Sequence, residues 1–194
     1  MAAIAQRRRL GQEGRMSRLL CHPETPPLAI ERVEAQLIRL PANGKPGSGN
    51  LLVRYRITGI GRLVLPDFSG RGREDELWKR TCGELFLAPD TPGYREYNFA
   101  PTGRWAAYDF RDYRKLAGPY EPLEMPEISV RTGDTMAVID AALNPREITG
   151  FTRAALSMVI EEEGGHLSYW ALAHPEARPD FHHPDSFLHQ IEPA

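Results

Sequence analysis

Short stretches in which apolar and polar residues alternate are the feature that most limits what this chain can fold into. Residues 51–57 are an example, because one face of this segment carries Leu51, Val53, Tyr55 and Ile57 and the other carries Arg54 and Arg56. This is the pattern of a strand with one buried face. Segments rich in glycine and proline, of which the chain has 17 each, separate such stretches. The pattern predicts an all-β protein and no repeated strand–helix–strand units.

The sequence predicts about ten to twelve short strands, packed as an antiparallel β-sandwich of jelly-roll or immunoglobulin-like type. Residues 33–37 also fit helical spacing, but they are predicted as a strand because they can pair with 51–57 across the Gly/Pro-rich segment 41–49. A Glu-Glu-Gly-Gly sequence at 162–165 is a strong hairpin signal. The other predicted strands are 81–88, 94–99, 105–110, 128–130, 135–143, 152–161, 167–173 and 187–191.

The N-terminal residues 1–19 differ in composition from the rest of the chain. They carry five arginines and one glutamate, without the apolar stretch of a signal peptide. They are predicted to be a disordered basic leader, and Met16 is an alternative start. A basic arm for nucleic acid is the other interpretation. The predicted domain covers residues 20–194.

Charge and cysteine content narrow the classes of partner and compartment. The formal net charge of −2 gives no polyelectrolyte field, so no nucleic-acid partner is predicted. No apolar run is long enough for a membrane helix, so no membrane partner is predicted. Cys21 and Cys82 lack metal-ligand spacing and are interpreted as free thiols of a reducing compartment, which predicts a cytoplasmic protein. The oligomeric state is not predicted.

Several motifs occur in the order seen in one known family. Residues 77–87 read Leu-Trp-Lys-Arg-Thr-Cys-Gly-Glu-Leu-Phe-Leu, and a Tyr-x-Glu-x-Asn strand (Tyr94, Glu96, Asn98) and a Pro-x-Gly turn (Pro101, Gly103) follow. With the C-terminal segments 167–175 and 179–183, the chain resembles the DOMON-like family, which is related to carbohydrate-binding modules of family 9. The likeness spans about residues 20–192. It implies a β-sandwich that binds sugars in some branches and haem in others.

A sugar site needs a flat aromatic surface and planar polar groups that reach ring hydroxyls. Strand parity places Glu96 and Asn98 on one face of their strand. Glu84 lies in an apolar strand, so it must face solvent or have a partner such as an arginine or a ligand hydroxyl. Core packing is the alternative role for each aromatic residue. The predicted ligand-binding residues are Trp78, Trp105 and Trp170 for stacking, and Glu84, Asn98, Arg104, His174 and His182 for hydrogen bonding.

Other functions remain as alternatives. Haem in related branches has Met and His ligands, for which Met136 or Met158 with His166 or His174 are the candidates, although core filling also explains the methionines. His174, Asp180, His182 and His183 could bind a metal, but adjacent histidines on an extended segment point apart, so no metal ligand is predicted. Catalytic motifs are missing. The sequence therefore predicts a non-catalytic module that binds a saccharide or another small polar ligand without a cofactor. A haem-binding electron-transfer domain and a protein-interaction scaffold using an edge strand are the alternatives.

Overall fold

The computed structural model describes residues 16–41 and 49–191. Within these ranges there are 13 strands and four 3-10 helices, and no α-helix. None of these four helices reaches the length of a membrane span. The strands are β1 (Ser17–Cys21), β2 (Arg32–Arg39), β3 (Leu51–Thr58), β4 (Gly72–Arg73), β5 (Cys82–Ala88), β6 (Tyr94–Phe99), β7 (Arg104–Asp112), β8 (Lys115–Pro119), β9 (Glu127–Thr132), β10 (Met136–Leu143), β11 (Arg153–Glu162), β12 (His166–Ala171) and β13 (His189–Gln190). The helices are Ile60–Arg62, Leu77–Lys79, Pro145–Ile148 and Pro184–Ser186.

The strands form one sheet, in the order β9-β10-β3-β2-β1-β12-β11-β5-β6-β7-β4. Strand β8 pairs with β7, and β13 pairs with β11. The short strand β4 runs parallel to β7, whereas the other named pairs are antiparallel. Strands that follow one another in sequence, such as β5, β6 and β7, lie side by side as a meander. This explains why the alternation of apolar and polar residues in each of them could be recognised from short stretches of sequence.

Strand β1 connects the two halves of the sheet. Residues 17–19 pair with β2, and residues 20 and 21 pair with β12. Because β1 hydrogen-bonds on both sides, the sheet is continuous and curls around its core. The all-β prediction is confirmed, but the predicted two-sheet sandwich is replaced by this curled sheet with 13 strands. Residues 17–19, predicted as leader, are strand, while residues 1–15, 42–48 and 192–194 lie outside the described residues.

The inner faces of both halves share one apolar core. Tyr55 and Ile139 from one half pack in the same buried cluster as Leu85 and Phe99 from the other. The outer faces differ. On β5 and β6 a smaller cluster that includes Phe181 of the C-terminal segment covers the sheet. On β3, by contrast, buried and half-buried residues alternate strictly. The outer face of β2, β3, β10 and β9 is therefore the broad polar face of the molecule.

Gly83 is a point of close contact between the two halves. A Cβ atom at this position would lie 2.5 Å from Cε2 of Tyr55, whose side chain is fully buried. The Tyr55 hydroxyl also donates a hydrogen bond to the Glu84 carbonyl at 2.6 Å, which fixes the ring. We expect Gly83→Ala to lower the free energy of unfolding by about 1–3 kcal/mol, because the core must shift to admit the methyl group.

Denaturant unfolding of Gly83→Ala and of Gly61→Ala measures this effect. A Cβ at Gly61 would meet no atom within 4 Å, so that variant is the matched control. Equal stability of the two variants would show that the Tyr55 ring yields easily and that the halves are not tightly interlocked here.

Candidate functional site

An open groove with a volume of about 500 Å³ lies on the outer face of β2, β3, β10 and β9. This volume is in the range of sites that take small molecules. Gly133, in the β9–β10 turn, is among the residues that line it. The lining residues are Met16, Gln36, Arg54, Arg56, Arg131, Thr132, Gly133, Met136 and Val138.

The register of the sheet places residues from five strands in one row across this face. Arg18 of β1 pairs with Glu34 of β2, and Glu34 pairs with Arg56 of β3. The row continues through Val138 of β10 to Arg131 of β9. Because neighbouring strands lie about 4.8 Å apart, the row is about 19 Å wide. We call this surface the arginine face.

Asp140 organises one part of the arginine face. Its two oxygens accept hydrogen bonds from Nε and Nη2 of Arg54 at 2.7 and 2.9 Å. The oxygen that accepts from Nη2 of Arg54 also accepts one from Arg131. The hydrogen bond to Asp140 raises the pKa of Arg54. One carboxylate thus positions two guanidinium groups, and the side chain of Arg131 remains 63% exposed.

Glu34 has the same role in the neighbouring part of the face. It accepts a hydrogen bond from Nε of Arg56 at 2.8 Å and another from Arg32. Burial acts to raise the pKa of Glu34, but these two arginines outweigh it and hold the pKa below its usual value. Each of the two carboxylates is therefore engaged by two arginines, which fits a rigid surface built for binding.

A second polar feature lies on the opposite half of the sheet, on the outer face of β5 and β6. Glu84 and Glu96 are buried there, at 3% and 5% exposure. Glu96 accepts a hydrogen bond from Asn98 at 2.6 Å and lies 3.9 Å from Nε2 of His182. Ser157 is the register partner of Glu84, and its buried hydroxyl has no hydrogen-bond partner among the described residues. We call Glu84 and Glu96 the carboxyl pair.

Glu84 is unusual among the buried carboxyl groups. Glu147 is as buried, but it accepts hydrogen bonds from the hydroxyls of Tyr97 and Tyr120 and from the amide of Leu123. Within the described ranges no group donates a hydrogen bond to the carboxyl of Glu84. Burial and the neighbouring Glu96 raise the pKa of Glu84 well above its usual value. Burial raises the pKa of Glu96 to about 7. The carboxyl pair therefore keeps its protons to a higher pH than isolated carboxyl groups do.

Three of the predicted site residues come together at the carboxyl pair, namely Glu84, Asn98 and His182. Nδ1 of His182 lies 2.8 Å from the hydroxyl oxygen of Tyr94. Burial lowers the pKa of His182 to about 4. The parity predicted for β6 is confirmed, since Tyr94 packs in the outer cluster and Tyr97 in the core. A role for these three residues in ligand binding stays a prediction.

The predicted stacking residues lie apart from one another. Trp78, in the helix Leu77–Lys79, is 45% exposed. Trp105 and Trp170 pack in the shared core, which is the alternative role considered for them. The Trp170 indole donates a hydrogen bond to the hydroxyl of Ser168 at 2.9 Å. The three rings therefore do not form one surface.

The remaining predicted polar residues also occupy separate positions. Arg104 donates a hydrogen bond to the Ser69 carbonyl at 3.0 Å. His174 donates one to the Leu20 carbonyl at 2.8 Å, so it fastens the C-terminal segment to β1. Burial lowers the pKa of His174. These contacts fix loops of the fold.

The candidate haem ligands are also distributed over the molecule. Met158 lies in the core and Met136 lines the groove. His166 donates a hydrogen bond to the Pro26 carbonyl at 2.8 Å. In the part of the chain that the structure describes, no three His, Cys, Asp or Glu side chains are placed to bind a metal ion. Cys21 and Cys82 are free thiols, and burial raises the pKa of both.

Sequence reasoning did not predict the groove. Alternation in residues 51–57 placed Arg54 and Arg56 opposite the core, which is where they lie. It gave no sign that β10 and β9 would extend the same face and bring Arg131 beside them. The sequence signal that could have indicated the groove is the number of arginines at outward positions of several strands.

Comparisons with known proteins show the fold. No protein-family model matches the chain, and no curated protein matches it in sequence. Among solved structures it is similar to a protein from Bacteroides uniformis proposed to bind carbohydrate, with 15% sequence identity and a TM-score of 0.60. The likeness covers 96% of this chain and 88% of that one. The two share an all-β fold over nearly their whole lengths, whereas the finer assignment to the DOMON-like family stays a prediction.

Proposed function

We propose that this protein is a non-catalytic binding module for a saccharide and that the groove on the arginine face is its binding surface. The observation that carries the proposal is a groove of ligand size lined by hydrogen-bonding side chains held in place by their neighbours. The fold that the chain shares with a protein proposed to bind carbohydrate supports the same class of ligand.

The groove combines the two kinds of contact that a sugar requires. Guanidinium, amide and hydroxyl groups of Arg54, Gln36 and Thr132 can bind ring hydroxyls. Met136 and Val138 offer an apolar floor to the carbon-bound hydrogens of the ring.

The carboxylates beside the groove argue for binding rather than catalysis. General acid–base chemistry needs a carboxyl group whose proton can move during the reaction. Glu34 and Asp140 instead hold two arginines each. Their role is to position donors for a ligand.

The test is calorimetric titration of the full chain with a panel of neutral, uronate-bearing and sulfated oligosaccharides. Val138 lies in the row between Arg56 and Arg131, so Val138→Glu fills the floor and offers these arginines a competing carboxylate. We expect this variant to weaken binding by about tenfold or more.

Leu116→Glu is the matched control, because Leu116 is an exposed apolar residue on β8, in the other half of the sheet. It should bind like the native protein. Unchanged binding in Val138→Glu would place the site elsewhere, with the surroundings of the carboxyl pair the next surface to test. If no saccharide of the panel binds, the proposal fails.

A further inference from the structure

We infer that the saccharide carries negative charge, as carboxylate or sulfate groups, and that Arg131 and Arg56 recognise those groups. This inference rests on the proposed function and names the ligand class for the same groove.

The arginine face carries more positive than negative charge. The outer positions of its strands carry five arginines and three carboxylates, so two positive charges are not neutralised within the face. The third carboxylate, Glu127, is itself paired with Arg71. Asp134, in the turn after Gly133, adjoins the lining residues in sequence and reduces this excess by at most one. The whole chain carries a net charge of −2, so the positive charge is local to this surface. The charged residues counted are Arg18, Arg32, Arg54, Arg56, Arg131, Glu34, Asp140 and Glu127.

The groove is lined by guanidinium groups and has no aromatic lining residue in the described ranges. Binding therefore cannot depend on ring stacking. Guanidinium groups match the planar geometry of a carboxylate or the oxygens of a sulfate through paired hydrogen bonds. This composition favours an acidic saccharide over a neutral one.

The positions of the two arginines also favour an acidic ligand. Arg56 and Arg131 flank Val138 in the row, one on each side. Their guanidinium groups are already oriented by Glu34 and Asp140, which reduces the entropy that binding would cost. A sugar ring over Val138 would have a guanidinium group on either side. Single-stranded nucleic acid is disfavoured, because it is bound through aromatic side chains that stack on bases.

The experiment compares two matched ligands on the full chain. Oligogalacturonic acid and its fully methyl-esterified form differ in the charge of the carboxyl groups, and both are titrated by calorimetry in low and in moderate salt. We expect the acid form to bind about tenfold or more tightly than the ester. We also expect salt to weaken its binding, because charges on an open face are screened. A sulfated oligosaccharide and its unsulfated parent form a second matched pair of ligands. Tighter binding of the charged member in either pair supports the inference.

The variants identify the arginines responsible. Arg131→Gln leaves Asp140 held by Arg54, so the fold should be retained. We expect this variant to bind the acid form about fivefold or more weakly than the native protein does, and to bind the ester with nearly unchanged affinity. Arg80→Gln is the matched control, because Arg80 is also an exposed arginine paired with one carboxylate, that of Glu161. It should leave both affinities unchanged.

The possible results are distinct. Equal binding of charged and neutral forms would overturn the inference and leave the proposed function standing. Failure of every saccharide, neutral or acidic, would overturn both. If an oligonucleotide or polyphosphate of equal charge binds as tightly as the acidic saccharide, the face is a general polyanion surface and the inference also fails.

Discussion

Glu84→Gln is expected to stabilise the protein at pH 8 by about 1–3 kcal/mol, the range measured for a buried polar group without a compensating hydrogen bond, and to change its stability little at pH 5. Burial and the nearby Glu96 raise the pKa of Glu84 in the folded state. The stability that the neutral carboxyl contributes is therefore fully present below about pH 4.5, the usual pKa of the unfolded chain, and is lost as the pH rises through the folded pKa. Glutamine resembles the protonated acid and does not ionise. Urea unfolding at pH 5, 6.5 and 8 measures the difference between variant and native protein.

Comparison of the two proteins at each pH removes the titrating groups that do not interact with Glu84. Glu96 does interact with it, so the measured difference belongs to the carboxyl pair as a whole. Burial lowers the pKa of His182 to about 4, so its contribution is lost as the pH falls and has the opposite sign. It is present in both proteins and cancels. Glu147→Gln is the matched control and should destabilise at pH 8, because its amide group would face the donors that now bind Glu147. If Glu84→Gln is less stable than the native protein at pH 8, the charged form of Glu84 must have a partner.

Glu162→Ala is expected to lower the free energy of unfolding by about 3–5 kcal/mol. Glu162 is fully buried and accepts hydrogen bonds from the backbone amides of Leu28, Ala29 and Ile30 at 2.7, 2.6 and 3.3 Å. Alanine would leave these three amides without acceptors and would open a cavity beneath the β1–β2 connection.

Guanidinium unfolding at neutral pH measures the loss. Glu163→Ala is the matched control, since Glu163 is exposed and pairs with Arg62 only at 3.6 Å. Such surface pairs contribute little, so this variant should unfold like the native protein. Equal effects of the two substitutions would show that water replaces Glu162 as the acceptor and that the β1–β2 connection is held by other contacts.

Local alternation made most of the fold predictable. Strand β6 has the predicted bounds of residues 94–99, and β10 and β11 agree to within one residue. Strand β1 was not predicted, because five residues beside a basic segment carry too little periodic signal. Its strand conformation depends on hydrogen bonds to β2 and β12, which are distant from each other in sequence.

The sites were less predictable, because they depend on which strands become neighbours. The sequence indicated that burial of Glu84 would be costly without a partner. Its actual neighbour is another acid, Glu96, which is brought close because the β5–β6 register pairs Glu84 with Asn98 and Phe86 with Glu96. The groove likewise requires β3 to pair with β10, and these strands are separated by some 80 residues along the chain. No local pattern encodes such a pairing.

The double pairing of β1 also limits the order in which the strands can pair. The β2–β3, β9–β10 and β11–β12 hairpins and the β5–β6–β7 meander close short loops and can form early. Strand β1 can join β2 and β12 only after both exist, and Leu20 and its partner Ala171 are about 150 residues apart. Pairing β3 with β10 and β5 with β11 also joins strands that are distant along the chain. Strand β1 joins β12 over the longest separation of the three, so we expect this pairing to form late.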